Sequence, residues 1–268
     1  MRLINRRPGR LSAAVLVALP FVLVLIGYLI ASEARLAANP NDKLLPSPAA
    51  MAEAMNRMAF EEDRRTGDYL LWVDTGASLT RLALGVGSAA LIGLVVGIAI
   101  GLIPLVGTAL NPFVAVLSMI PPLAVLPILF IVFGLGELSK VVLIAVGITP
   151  FLIRDIAFRV GELPRELLIK AQTLGANTLQ VMLRVVLPQI MPKLFSALRL
   201  ALGPAWLFLI AAEAIAATEG LGYRIFLVRR FLAMDVILPY VAWITLLAFV
   251  MDRLLALASR RLYPWADP

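Results

Sequence analysis

Long apolar runs separated by short polar stretches dominate this chain, and their lengths predict membrane-crossing helices. Six runs come close to the ~20 residues that a bilayer crossing needs, at about 11–31, 82–103, 112–133, 138–156, 194–217 and 236–257. The first run follows Arg2, Arg6, Arg7 and Arg10, as the core of a signal peptide would. It is long for that role and no small-x-small cleavage site follows it, so it is read as a retained helix. The expected class is therefore all-α and polytopic, with about six transmembrane helices. The chain divides into an N-tail (1–10), a first helix (11–31), an outer loop (32–81), a helical core (82–257) and a C-tail (258–268).

One polar interruption, residues 157–193, carries ordered helix signals. Pro164 suits a first helical position, where a missing N–H costs nothing. Glu166 then falls in the first turn, on the favourable side of the helix dipole. Leu167, Ala171 and Leu174 recur at helical spacing as a narrow apolar stripe. Gly175 ends that helix, as glycine does where the chain turns left-handed. Asn177 caps a second helix, with Gln180 three residues on in capping-box spacing. Pro188 and Pro192 bound it. Two short helices joined at a glycine on a membrane protein predict a docking surface for a second protein.

Basic residues set the orientation. The N-tail carries four arginines, the 154–193 region carries Arg154, Arg159, Arg165, Lys170, Arg184 and Lys193, and the C-tail carries Arg253, Arg260 and Arg261. Six crossings place all three on one side, which the positive-inside rule makes cytoplasmic. In the outer loop, Glu61, Glu62 and Asp63 roughly balance Arg64 and Arg65. Arg224, Arg229 and Arg230 run against the pattern, since this topology puts them outside.

The residues Ala171, Gly175 and Ala176, followed by Val186-Leu187-Pro188, resemble the coupling ("EAA") loop of binding-protein-dependent ABC importer permeases. Further along the chain, Leu45-Pro46-Ser47-Pro48, Ile120-Pro121-Pro122-Leu123-Ala124 with Pro127, Phe133-Gly134-Leu135-Gly136, and Glu213 followed by Gly220-Leu221-Gly222-Tyr223 resemble the nitrate/sulfonate/taurine branch. The likeness covers roughly residues 44–258. It departs at the family's leading Glu, six residues before the glycine, which is Ile169 here and is followed by Lys170; Glu166 lies one turn away. The resemblance implies a type I importer permease (MetI-like) fold in a bacterial inner membrane, with both termini cytoplasmic. It implies two permease copies, two ABC ATPase subunits and a periplasmic or lipid-anchored solute-binding protein. It places Glu166, Lys170, Ala171, Leu174, Gly175, Ala176, Leu187 and Pro188 in the ATPase-coupling loop. The cargo it implies is a small polar solute, nitrate-, sulfonate- or taurine-like or a related nitrogen compound.

Composition agrees and excludes other classes. Hydrophobic residues make up 61% of the chain and mean hydropathy is +0.94, far from a soluble domain's mix. The net charge of +7 is largely the arginine excess near anionic headgroups, and nothing points to nucleic acid. The chain has no Cys and no His, which excludes disulfides, thiolate or imidazole metal sites and Ser-His-Asp or Cys-His catalysis. There is no GxxxxGK[ST] sequence; Gly134–Lys140 has the wrong spacing. No catalytic residue, metal or cofactor is expected, and ATP hydrolysis belongs on another chain.

Within the apolar runs, Gly85, Gly93, Gly97 and Gly101 fall on one face and suit close helix packing. Ser118, Pro121, Pro122 and Pro127 break the third run, and Gly203-Pro204, followed by Trp206, break the fifth. Broken helices near the midplane line wet pathways or are simply kinked. The expected pathway runs between these two helices. Glu213, alone in LFLIAAEAIAAT, is either a gate or substrate contact, an ion pair with an arginine of 224–230, or a protonated packing residue. Glu137 and Lys140, three apart, are read as a simple pair, and Arg154-Asp155 as the cytoplasmic end of the fourth helix, pairing with the loop; both are read as structural. An ion-coupled secondary transporter and a membrane enzyme remain the alternatives; the first wants coupling residues and repeats, the second a cluster of acids and bases at one depth.

Overall fold

The computed structural model describes residues 9–40, 42–64 and 66–266. Arg2, Arg6, Arg7 and Arg65 lie outside the described residues. The described chain is helical: α1 (Arg10–Ala38), α2 (Pro48–Phe60), α3 (Leu70–Leu102), α4 (Pro104–Leu117), α5 (Pro122–Phe133), α6 (Glu137–Gly161), α7 (Arg165–Thr173), α8 (Thr178–Val181), α9 (Leu187–Ala216), α10 (Leu221–Arg229) and α11 (Met234–Leu262).

The centre of the fold is the glycine face of α3. Cβ atoms placed on Gly85, Gly93, Gly97 and Gly101 would lie 2.6–2.7 Å from the Cβ atoms of Ile144, Leu152, Ile156 and Val160. That is far inside contact distance, so only glycine lets the two backbones close. The register is constant and both series ascend together, so α3 and α6 run in the same direction. A parallel pair fixes the role of what joins it: α4 and α5 must carry the chain back across. They do so as one broken span, bent by 93° at Ser118–Pro121. Counted this way, α1, α3, α4/α5, α6, the Thr178–Ala216 rod and α11 make six crossings. Segment 162–177 then lies on one side, and α2 and α10 on the other.

Three expectations need correction. The second crossing begins at Leu70 instead of 82, so both ends of the expected 32–81 loop are helical. The fifth crossing is not broken at Gly203-Pro204: α9 runs through Pro204 to Ala216. One missing N–H is tolerated in a long helix packed against α6, whereas two consecutive prolines at 121–122 leave α5 no way to continue α4. Pro188 does not end a helix either. Met182–Val186 form a π-helical turn, and Leu187 N–H reaches back to Met182 O just before the residue that has no N–H. The helix of the polar interruption thus continues into the membrane.

Candidate functional site

The interruption folds as its local signals require. α7 ends in a left-handed Gly175 (φ +82°). Gly175 N–H donates to Gln172 O at 2.9 Å and Ala176 N–H to Ala171 O at 3.0 Å, the two bonds of a Schellman closure. Asn177 follows with a complete capping box: Gln180 N–H donates to Asn177 Oδ1 at 2.8 Å, and Asn177 N–H to Gln180 Oε1 at 2.9 Å. Ala171, Ala176, Leu187 and Pro188 are half-buried, and the first three pack against the core. Glu166, Lys170 and Ile169 are exposed, and no residue of α7 is buried. Leu174 stands at the tip, 88% exposed. A turn closed by backbone bonds thus holds this leucine in solvent.

At the opposite end of α3 and α6 lies a buried polar cluster. Glu213 is 0% exposed. Its carboxylate accepts from Ser78 Oγ at 2.7 Å, Arg81 Nη1 at 2.8 Å and Gly222 N–H at 2.8 Å. Arg81 also holds Glu137, with Nη2 to Oε1 at 2.9 Å and a second bond from Nε, and donates to Glu219 O at 2.9 Å. Lys140 Nζ reaches Glu137 at 2.7 Å. Beside this group, Asp74 accepts from Gly220 N–H at 2.9 Å, Arg224 Nε at 2.7 Å and Tyr240 OH at 3.2 Å. Leu221 N–H donates to Ser78 Oγ at 2.9 Å. Three successive amides at the start of α10 are therefore seated on buried side chains of α3 and α9. Burial works against the Arg224 charge, but the hydrogen bond and charge of Asp74 outweigh it and hold the guanidinium above its ordinary value.

This arrangement revises two sequence expectations. Glu213 does pair with an arginine, but with Arg81 of α3 and not with the 224–230 segment, whose Arg224 serves Asp74. Asp74, Ser78 and Arg81 were missed as site residues because the second crossing was started too late. The signal was present: positions 74, 78, 81 and 85 form one helical face that runs directly into the glycine seam.

Between the bent α4/α5 pair, α6 and α9 is a groove of about 760 Å³. Ser118 and Pro122 line it, with Val146, Pro150 and Arg154 from α6 and Phe208 from α9. The other expected pathway residues lie elsewhere. Pro121 sits at the break as the residue before α5, and Pro127 is within α5. Trp206 and Glu213 are buried in the packing of α9 and do not line the groove. Among the described residues, Trp206 Nε1 is the buried side-chain polar atom without a hydrogen-bond partner. Arg154, read from the sequence as structural, faces the groove and donates to Ser118 Oγ at 2.9 Å.

Comparison with known proteins fits this geometry. Residues 89–263 match the family described as binding-protein-dependent transport system inner membrane component. The chain is 39% identical over 221 residues to the taurine transport system permease protein of Escherichia coli (strain K12), covering 82% of this chain and 80% of that one. It is 34% identical to the bicarbonate transport system permease protein of Synechococcus elongatus, over 74% of this chain and 72% of the relative. It is 30% identical to the nitrate import permease protein of Leptolyngbya laminosa, over 76% and 73%. An inward-facing structure of the MetNI methionine ABC transporter shares the fold, with a TM-score of 0.63 and 21% identity over 77% of this chain and 100% of that chain. These relatives leave the secondary-transporter alternative without support. A folded loop with an exposed leucine, a six-crossing core and this set of relatives lead to one conclusion: the chain belongs to the binding-protein-dependent transport family and is the transmembrane permease subunit of an ABC importer.

Proposed function

We infer that two copies of this chain form one pathway, that each docks an ABC ATPase subunit through residues 164–188, and that a solute-binding protein delivers cargo at the face carrying α2 and α10. The observation that carries this reading is Leu174, 88% exposed on a turn closed by backbone bonds. Leu167, Ile169, Leu179 and Leu183 are exposed along the same segment. A partner that covers them gains roughly 25 cal/mol for each Å² of apolar surface removed from water. The loop side carries Arg159, Arg165, Lys170, Arg184, Lys193, Arg260 and Arg261, which supports placing it, with both termini, in the cytoplasm of a bacterial inner membrane. The arginines that ran against this rule are partly accounted for: Arg224 is paired with Asp74 at 2.7 Å, and Arg229 and Arg230 lie over the rings of Phe226 and Phe231. Cargo follows the relatives, a small polar solute of the taurine, nitrate or bicarbonate kind. ATP is hydrolysed on the partner, and this chain makes and breaks no bonds in the solute.

The test is isolation of the tagged chain from its native membrane in mild detergent. An ATPase should co-purify, and Leu174→Asp should release it without loss of folded permease. Isolation of the chain alone across several mild detergents, or retention of the ATPase by the variant, would overturn the docking assignment.

A further inference from the structure

The groove carries an uncompensated positive charge. Two side chains with formal charge line it, Arg154 and Asp155. Asp155 is already matched: Arg159, one turn on, donates to its carboxylate at 2.6 Å. Arg154 is not. Among the described residues its one hydrogen bond is to Ser118 Oγ at 2.9 Å, a neutral acceptor whose own O–H donates to Ala115 O at 2.7 Å. A guanidinium has five N–H donors, so four remain for something else. The end of α4 and the start of α5 both meet the groove at the bend, and their dipoles oppose, so side chains set its charge. The surrounding wall is apolar, from Val146, Pro150, Phe151, Phe158 and Phe208. Arg154 lies seventeen residues into α6, roughly 25 Å from the Glu137 end. It is thus well separated from the polar cluster that consumes Glu213.

We propose that Arg154, braced by Ser118 at the break between α4 and α5, is a binding step for an oxyanion passing along the groove. This rests on the permease reading, which makes the groove part of the pathway. The ligand class follows from the donor: planar, forked N–H groups match the paired oxygens of a sulfonate, nitrate or bicarbonate. Ser118 holds the fork toward the groove without neutralising it, which a carboxylate at that position would do. A single arginine beside an apolar wall captures an anion and still releases it, as a pathway requires.

The absence of cysteine gives a direct test. Phe158 lines the groove one turn beyond Arg154 and is largely exposed, so Phe158→Cys places one thiol in each copy near the charge, with the unsubstituted complex as the blank for thiols of the ATPase. The full chain, purified with its ATPase and set in nanodiscs, is labelled with two methanethiosulfonates. One ends in a sulfonate, the other in a quaternary ammonium. Arg154→Gln should lower the sulfonate-to-ammonium rate ratio about tenfold, the order expected for one unit charge within a turn of the thiol. Arg154→Lys should largely preserve the ratio, and Ser118→Ala should reduce it only partly. Millimolar nitrate or taurine should slow the sulfonate reagent when Arg154 is present and not when it is Gln. A ratio unmoved by Arg154→Gln overturns the proposal. So does protection by anionic phosphatidylglycerol in the nanodisc with none by nitrate or taurine, which would make the arginine a lipid-headgroup contact. Retention of the ATPase in each preparation reports folding and docking separately, so loss of the anion step and loss of the permease reading are distinguishable.

Discussion

Arg81 and Glu213 form a salt bridge of 2.8 Å between α3 and α9, with side chains 2% and 0% exposed. Ser78 and Gly222 complete the carboxylate's hydrogen bonding, and Glu137 takes the other side of the guanidinium. A buried ion pair is weak evidence of net stability, yet removing one partner strands the other. The pair accounts for a carboxylate inside an apolar helix without assigning it to the pathway.

Glu213→Ala should therefore destabilise the protein by about 3–5 kcal/mol, the usual cost of breaking a buried pair from one side. Glu213→Gln should cost less, since its carbonyl still accepts from Ser78 and Gly222. Thermal unfolding in detergent compares them. Normal stability of Glu213→Ala together with lost transport would return Glu213 to the pathway.

Gly220 sits beneath the same pair with φ +123°, and a Cβ there would fall 2.6 Å from Glu213 Cδ and 2.7 Å from Arg81 Nη1. Gly220→Ala should lower the melting temperature by loosening the seating of α10. Faster amide exchange confined at first to 220–229 is the expected signature, and unchanged exchange there would contradict it.

Trp206→Phe should be neutral or stabilising. The indole N–H is buried and unpartnered, and such a group costs on the order of 1–3 kcal/mol. A clear drop in melting temperature would mean that the N–H has a partner in the assembled transporter.

Asn177→Ala removes one cap and should weaken the second helix of the loop by about 0.5–2 kcal/mol while leaving the membrane bundle intact. Hydrogen exchange over 165–181 should rise and substrate-stimulated ATP hydrolysis by the partner should fall. Global unfolding at the same dose of denaturant as the parent is the control.

The parts of this molecule that depend on local chemistry were legible from the residues. Gly175, Asn177 and Gln180 specify their turn and cap within a few positions of each other, and the structure forms every bond they imply. The glycine spacing from Gly85 to Gly101 announced a close helix contact, but not its partner or direction, because Ile144 and Val160 could be matched to it only in three dimensions. The same distance in sequence hid Arg81 from Glu213. Pro121-Pro122 marked a break without its 93° angle. Pro204 suggested a break that packing against α6 overrides. The Asp155–Arg159 pair is readable from its i,i+4 spacing, whereas the contact of Arg154 with Ser118, thirty-six residues away, is not.

The parallel seam has a mechanical consequence. Segment 162–164 joins α7 directly to α6, and α6 is interlocked with α3 from Val160–Gly101 to Ile144–Gly85. Neither helix can slide past the other without lifting the α6 Cβ atoms out of the glycine notches and against neighbouring side chains, so the seam resists sliding. The loop and the opposite rim, with the Arg81–Glu213 clasp and the seat of α10, therefore lie at the two ends of one interlocked helix pair.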